Sequence, residues 1–144
     1  MKMVDISAKE VTEREAIVEG FVYLESRVIR LIKNKQMEKG DVLEAARLAG
    51  ILAAKKTPYL IPLCHPIPIE SANIEFSLEK NRIRIIAKVK AKARTGLEME
   101  ALTATSVAAL TIYDMCKPID KNIVISEIKL LKKTGGKSGT YVRK

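Results

Sequence analysis

The feature that most constrains the fold is a long apolar stretch from Thr95 to Lys117, TGLEMEALTATSVAALTIYDMCK. Neither proline nor glycine interrupts it after Gly96, until Pro118 gives a helix a clean stop. Thr95, followed three residues later by Glu98, has the pattern of a capping box. Because the middle of the stretch is apolar or small on nearly every side, we predict a helix buried on most of its surface.

A charged pair lies near the end of this predicted helix. Asp114 and Lys117 are three residues apart and therefore share one face. Burying a carboxylate is costly unless it is paired, so the pair has two interpretations. One is a structural ion pair at a helix end, where Lys117 also suits the helix dipole. The other is an acid–base pair whose proton affinities are tuned by each other and by burial.

Two more carboxylates, Glu98 and Glu100, lie at the other end of the stretch. At a rise of 1.5 Å per residue, Glu100 and Asp114 are roughly 21 Å apart along one helix. They can serve one site only if the ligand is long or if two chains contribute. The spacing therefore favours an oligomer with shared sites.

The rest of the chain reads as one domain, residues 1–144, with an α+β pattern. Strands are predicted at 16–24, 71–79, 82–94 and 123–131, a short helix follows Ser26 as its cap, and a second helix runs from the N-cap Asp41 to Thr57-Pro58. Taking the two early helices as one crossover gives βαββαβ. This is the ferredoxin-like arrangement, an antiparallel sheet with helices packed on one face.

A stiff loop from Leu60 to Ile69, LIPLCHPIPI, contains three prolines and the only histidine. The prolines fix the backbone and remove three hydrogen-bond donors. The loop therefore displays Cys64 and His65 for binding, unless the two side chains are simply packed in the core.

The net charge of +9 favours polyanionic partners: nucleic acid, an acidic membrane surface or a phosphorylated small molecule. One face of the second hairpin strand carries a basic ladder, which is a solvated face by default: Arg82, Arg84, Lys88, Lys90, Lys92 and Arg94. One histidine and two distant cysteines lack the spacing of a structural zinc site or a disulfide framework. We expect no metal ion, no membrane-spanning segment and a cytoplasmic protein, and the abundance of Ile, Lys and Glu is typical of thermophiles.

Both ends of the chain are polar. Residues 1–15 are predicted to form an N-terminal arm that either folds over a neighbouring surface or is solvated. Residues 132–144 are predicted to be a flexible tail rich in lysine and glycine. Its GGKSG has the composition of a phosphate-binding loop but not the strand–helix setting of a P-loop.

Three segments together with the closing LLKKTGGKSG resemble the molybdenum-cofactor accessory protein C (MoaC) family of cyclic pyranopterin monophosphate synthases. They are KGDV with the following AARLAGILAAKKT, the loop IPLCHPIPI, and TGLEMEALTATSVAALTIYDMCK. The resemblance implies ferredoxin-like chains that form dimers and then hexamers, with the site at a subunit interface. It also implies conversion of a cyclised dihydro-GTP, made by a radical-SAM partner enzyme, with release of pyrophosphate. No resident cofactor is implied, and the sequence leaves open whether Mg²⁺ accompanies the triphosphate.

The resemblance also assigns roles to residues by motif. Asp114 and Lys117 of YDMCK would be the catalytic acid–base pair, and Lys39 of KGD would assist the chemistry or hold phosphate. The expected substrate contacts are Leu63, Cys64, His65, Met99 and Glu100, with further pocket members Glu98, Lys133, Lys137, Ser7, Lys9 and Arg14.

Two other functions fit part of the pattern. An RNA-binding module offers a ferredoxin-like sheet with basic side chains, but such modules stack bases on sheet aromatics, and the hairpin has only Phe76, on its inward face. A purely structural oligomeric scaffold is the other alternative, and it would leave Asp114 indifferent to substitution.

Overall fold

The computed structural model describes all 144 residues. The elements in chain order are β1 (Thr12–Tyr23), α1 (Ser26–Lys33), α2 (Val42–Leu60), β2 (Ser71–Leu78), β3 (Arg82–Ala93), α3 (Glu98–Cys116), β4 (Val124–Thr134) and β5 (Tyr141–Val142). The predicted order of strand, two helices, hairpin, helix and strand is confirmed, with one short strand added at the end.

The strands form one antiparallel sheet in the order β2-β3-β1-β4-β5. Its first four strands have the ferredoxin-like order, with β1 and β3 in the middle. Ala16 of β1 lies opposite Val89 of β3, and Val18 lies opposite Ala87, so small and branched side chains share the same face. The predicted α+β class with an antiparallel sheet is confirmed.

Helix α3 lies at the centre of the core, as its apolar sequence predicts. Ala104, Ala108 and Ile112 are fully buried. The packing is close on two sides. A Cβ atom at Gly20 of β1 would lie 2.8 Å from Thr105 Cγ2, and one at Gly50 of α2 would lie 2.9 Å from the Ala104 carbonyl oxygen. Helix α3 is therefore held tightly between the sheet and α2.

The starts of two helices differ from the predictions. Helix α3 begins at Glu98 with Leu97 as N-cap and no side-chain capping bond, so the predicted capping box is wrong. The helix starts two residues later than a Thr95 cap requires, and the Glu98 carboxylate lies 3.7 Å from the Lys133 ammonium group. Ser26 is the first residue of α1 rather than its cap. The prediction for Asp41 is confirmed, because its carboxylate accepts a hydrogen bond from the Glu44 amide.

The predicted end of α2 at Thr57-Pro58 is also wrong, since the helix continues through Pro58 to Leu60. Pro58 has no N–H to donate to the Ala54 carbonyl. The buried Thr57 hydroxyl donates there instead, at 3.0 Å, and also to the Ala53 carbonyl. A side chain thus supplies the donor that proline lacks.

The two polar ends contribute more to the sheet than predicted. Strand β1 begins at Thr12, inside the predicted arm of residues 1–15, and β4 continues to Thr134, inside the predicted tail of residues 132–144. Backbone pairing explains both extensions, since Glu15 lies opposite Thr134 and Ala16 opposite Lys133. None of the helices is both long enough and apolar enough to cross a membrane.

Candidate functional site

Three predicted catalytic residues meet at the C-terminal end of α3, and we call them the C-terminal cluster: Lys39, Asp114 and Lys117. Asp114 Oδ1 lies 3.0 Å from Lys117 Nζ, and Oδ2 lies 3.9 Å from Lys39 Nζ. Lys39 Nζ also donates to the Asp114 carbonyl at 3.3 Å. One carboxylate therefore lies between two ammonium groups that come from different parts of the chain.

The expectation that Asp114 is buried is wrong, because its side chain is 62% exposed. It lies on the side of α3 that faces away from the sheet, beside the exposed Leu110 and Tyr113. Its pKa is held below the usual value by the hydrogen bond and the charge of Lys117, and then by the charge of Lys39. Neighbouring cations, not burial, tune this carboxylate.

The KGD motif owes its spacing to local backbone geometry. Gly40 has a φ of 114°, a conformation that favours glycine, and its amide donates to the Met37 carbonyl at 3.1 Å. The next residue, Asp41, caps α2. The motif therefore turns the chain and starts a helix while Lys39 reaches Asp114.

A second group, the N-terminal cluster, lies at the other end of α3 and consists of Cys64, Glu98, Glu100 and Lys133. Glu100 is 1% exposed. Cys64 Sγ donates to Glu100 Oε2 at 3.7 Å, whereas Oε1 is buried without a partner. Burial raises the pKa of Glu100, and it also raises the pKa of the Cys64 thiol to about 11, with a further contribution from the Glu100 charge. The thiol is thus protonated at neutral pH and is not a nucleophile.

Glu98 adds a second buried oxygen without a partner to this cluster, its Oε1. Its other oxygen lies 3.7 Å from Lys133 Nζ. Unpaired buried acceptors are costly in the free protein. The N-terminal cluster is therefore suited to a ligand that presents N–H or O–H groups.

The proline-rich loop and the N-terminal arm lie together next to this cluster. Arm and loop line a cavity of about 150 Å³, formed by Ile6, Val11, Pro66, Ile67, Pro68, Lys92, Ala93, Arg94 and Thr95. Cys64 and His65 are half-buried and Leu63 is exposed. Ser7 donates its amide to Asp5 in an exposed turn, and the Lys9 side chain is exposed. The loop is thus anchored by Ile67 and Ile69, which pack against the core, while Cys64 and His65 lie nearer the surface.

Arg14 and the glycine turn after β4 are packed against each other. Arg14 Nε donates to the Ala93 carbonyl at 3.1 Å, just before α3. Gly136 has a φ of +78°, and a Cβ atom there would lie 2.5 Å from Arg14 Nη1. The turn therefore needs glycine, and it leads directly to the exposed Lys137.

The predicted residues fall into two groups rather than one. Glu100 and Asp114 both lie on α3 and are roughly 21 Å apart by helix rise. Glu100 was predicted as a substrate contact, but Asp114, and not Glu100, was predicted to be the buried carboxylate. A signal was present, since Glu100 shares the face of Ala104 and Ala108 at intervals of four residues, which is the buried face of the helix.

The basic ladder of β3 lies on the open face of the sheet, where Lys88, Lys90, Lys92 and Arg94 are exposed. It is interleaved with carboxylates. Glu13 and Glu15 lie opposite Lys92 and Lys90, and the Glu19 carboxylate is 2.6 Å from Arg84 and 3.5 Å from Lys129. The aromatic ring of Phe21 on this face is covered by the Arg82 guanidinium, at 4.2 Å. Nothing on this face supports the RNA-binding alternative.

Comparison with known proteins gives a consistent result. The model of the MoaC family matches residues 3–136. The cyclic pyranopterin monophosphate synthase of Thermoanaerobacter sp. (strain X514) is 56% identical over 144 residues, which is 99% of this chain and 91% of that protein. The synthase of Heliobacterium modesticaldum is 54% identical with the same coverage. A probable synthase of Sulfurisphaera tokodaii is 58% identical over 121 residues, 84% of this chain and 80% of that protein.

Proposed function

The chain belongs to the MoaC family, and from this premise we propose that it is a cyclic pyranopterin monophosphate synthase of molybdenum cofactor biosynthesis. Its substrate would be (8S)-3′,8-cyclo-7,8-dihydroguanosine 5′-triphosphate. The products are cyclic pyranopterin monophosphate and pyrophosphate, so the enzyme is a phosphorus–oxygen lyase.

The observation that carries this proposal is the C-terminal cluster. Asp114 is exposed and therefore open to a ligand, and the two ammonium groups beside it favour its ionised form by lowering its pKa. A carboxylate can accept protons during the rearrangement of the purine-derived skeleton, and Lys39 or Lys117 can return them. The cluster therefore contains an acid and a base within contact of each other.

The same lysines suit the phosphate step. A sugar hydroxyl loses its proton and attacks the α-phosphorus, a new P–O bond forms, and the bond to the leaving pyrophosphate breaks. Negative charge increases on the leaving group, and ammonium groups stabilise it. We assign Lys39 and Lys117 to this task, with Lys9, Arg14 and Lys137 as further candidates to hold the triphosphate.

The N-terminal cluster is suited to the other end of the substrate. Oε1 of Glu98 and Oε1 of Glu100 are buried acceptors without partners. The ring system of a guanine derivative presents several N–H donors that such oxygens can accept. We therefore infer that Glu98, Met99 and Glu100, with Leu63, Cys64 and His65 of the loop, contact the ring system.

One substrate must then span two clusters that lie far apart on α3, and we infer that each pocket is formed by two chains. The outer faces of α2 and α3 present large exposed apolar side chains, namely Leu48, Leu52, Tyr59, Leu110 and Tyr113. Such a patch is typical of a protein–protein contact. A dimer, and a hexamer of three dimers, is our proposal for the assembly, with a radical-SAM GTP cyclase as the upstream enzyme.

Two further parts of the proposal concern conditions. Both cysteines are free, which fits the reducing cytoplasm as the site of the reaction. We expect no resident cofactor. Whether the reaction requires Mg²⁺ on the substrate triphosphate is tested by adding EDTA and measuring the rate, which should fall if the ion is required.

The decisive experiment is a coupled anaerobic assay with purified GTP cyclase. We expect a fluorescent pterin after oxidation, together with pyrophosphate in equal amount. The matched control is the Asp114→Asn variant, which should give neither product. If the wild-type protein also gave neither, with a cyclase shown to be active, the proposed function would be wrong.

A further inference from the structure

A buried carboxylate outside both clusters lies just behind the catalytic end of α3. Asp120 is 2% exposed, and both of its oxygens are used. Oδ2 accepts a hydrogen bond from the Glu25 amide at 2.8 Å, and Oδ1 accepts one from the Asn122 amide at 2.9 Å. Glu25 is the N-cap of α1, a helix with no side-chain cap and no acidic residue in its first turn. Asp120 therefore supplies the negative partner at the start of α1.

A second hydrogen bond strengthens the same junction, by which we mean the contact between the start of α1 and the residues directly after α3. Arg27 of α1 donates from Nη2 to the Ile119 carbonyl at 2.8 Å. The amides of Ile119 and Asp120 turn back to the Cys116 carbonyl, each at 3.1 Å. The segment directly after Lys117 is thus closed against the end of α3 and fixed to the start of α1.

The segment that follows α1 returns to the same end of α3. Helix α1 is anchored by the buried Val28, Ile29 and Ile32, and the chain beyond it carries Lys39 to the Asp114 carbonyl and carboxylate. Residues 25–39 therefore hold the end of α3 at two points. The first is the junction at Asp120, and the second is the contact of Lys39 with Asp114.

We propose that Asp120 is a positioning residue, whose buried carboxylate fixes α1 to the segment after α3 and so keeps Lys39 at Asp114. Its consequence for turnover rests on the proposed function. The structural part stands without it, because it concerns only where Lys39 lies relative to Asp114.

The junction needs a carboxylate specifically. Both oxygens of Asp120 face backbone amides, and an amide side chain can offer only one acceptor atom. In Asp120→Asn, the side-chain NH₂ would face one of these N–H groups, so one hydrogen bond is lost and two donors oppose each other. We expect α1 to move away at this point and to take Lys39 with it.

The test measures the pKa of Asp114 directly by NMR with ¹³C-labelled aspartate, since the chain has aspartates only at Asp5, Asp41, Asp114 and Asp120. The charged groups that act on Asp114 are Lys117 and Lys39. In Asp120→Asn, the pKa of Asp114 should rise towards its usual value because the Lys39 charge is withdrawn. In the coupled assay, kcat should fall by up to about a hundredfold, with a smaller change in KM.

The matched control is Glu19→Gln, which alters another buried carboxylate with two cationic partners, on the far face of the sheet. It should lower the melting temperature without changing the pKa of Asp114 or kcat. If Asp120→Asn behaved as this control does, Asp120 would only stabilise the fold, and the proposal would be overturned.

A second variant keeps the test decisive if Asp120→Asn does not fold. Asp120→Ser keeps one side-chain oxygen as an acceptor and places no amide NH₂ against a backbone N–H group, so it disturbs the packing less. We expect the same rise in the Asp114 pKa, smaller in size, and an unchanged pKa would overturn the proposal. Absence of turnover in the wild-type protein would refute only the proposed function, because the NMR result does not depend on it.

Discussion

The two ends of α3 hold carboxylates in opposite states. Asp114 is exposed between two lysines that lower its pKa, whereas Glu100 is buried beside a thiol, and burial raises its pKa. The residues share one helix and nearly the same chemistry. The comparison shows that solvent and neighbouring charge, rather than residue type, set the state of each carboxylate. The roles that we propose follow this difference: a base at the exposed end and a binding group at the buried end.

The largest effect should come from removing the charge at the exposed end. Asp114→Asn keeps the shape but cannot act as a base, so turnover should fall by about 10²–10⁴-fold. Pyrophosphate release measures it, and circular dichroism shows whether the fold is kept. The control is Glu79→Gln, which breaks an ion pair with Arg82 away from α3. Near-normal turnover in Asp114→Asn would make the Asp114 pair a structural one.

The next prediction asks whether the two ends serve one pocket through two chains. Lys117→Ala and Glu100→Ala should each be inactive, and co-refolding them should restore activity. If mixing is random, about half of the dimers are mixed and each has one complete pocket, so roughly a quarter of wild-type activity should return. Mass spectrometry must first prove that mixed oligomers form. No recovery in their presence would mean that both ends act within one chain.

A smaller effect is expected from the loop beside the buried end. His65→Ala should weaken substrate binding with little loss of stability, because the prolines and the packing of Ile67 and Ile69 on the core, rather than the imidazole, hold the loop. Substrate titration and thermal melting separate the two effects. The matched control is Lys80→Ala, which removes an exposed side chain in the turn between β2 and β3, away from both clusters and from the apolar patch. A large fall in melting temperature with unchanged binding would show that His65 is core packing.

The smallest effects should be on how folding stability changes with pH, and the carboxylates at the two ends of α3 should change it in opposite directions. The raised pKa of Glu100 means that the folded protein binds this proton more tightly than the unfolded chain does. Its contribution to the free energy of unfolding is therefore fully present below about pH 4.3, the unfolded pKa, and is lost as pH rises through the folded pKa. Asp114 has a lowered pKa, so its contribution is present above about pH 3.9 and is lost as pH falls.

Melting temperatures of two variants test these signs. From acid to neutral pH, Glu100→Gln should gain stability relative to wild type, and Asp114→Asn should lose it. Parallel curves for both variants would contradict the contrast between the two ends.

Much of the fold was predictable because its signals are local. Alternating residues indicated each strand, and the apolar stretch indicated that α3 is buried. The wrong predictions concern the ends of helices and strands, where contacts with other residues determine how far an element continues. Thr57 keeps α2 intact past Pro58, and pairing with β1 extends β4 to Thr134, into a lysine-rich segment that reads as a tail.

The candidate site follows the same rule. Motif resemblance named the residues that the structure brings together in the two clusters, and their site roles stay predictions. Their burial and charge environment needed the structure. Which carboxylate is buried depends on which side of α3 meets the sheet. Asp120 belongs to no catalytic motif, and its role rests on contact with Glu25, far away in sequence.

The close packing of α3 at Gly20 and Gly50 has a consequence for how this enzyme can evolve. An added methyl group at Gly50 would lie 2.9 Å from the Ala104 carbonyl oxygen, so the backbone of α3 would have to shift, whereas one at Gly20 would press on the Thr105 and Ile128 side chains. Such a displacement would shift Asp114 and Glu100 together, although neither glycine touches them. Few substitutions should therefore be tolerated at Gly50, although it lies opposite the middle of the helix and away from both clusters. We expect a saturation library, scored for growth that depends on molybdenum enzymes, to show as few tolerated substitutions at Gly50 as at the proposed catalytic residues.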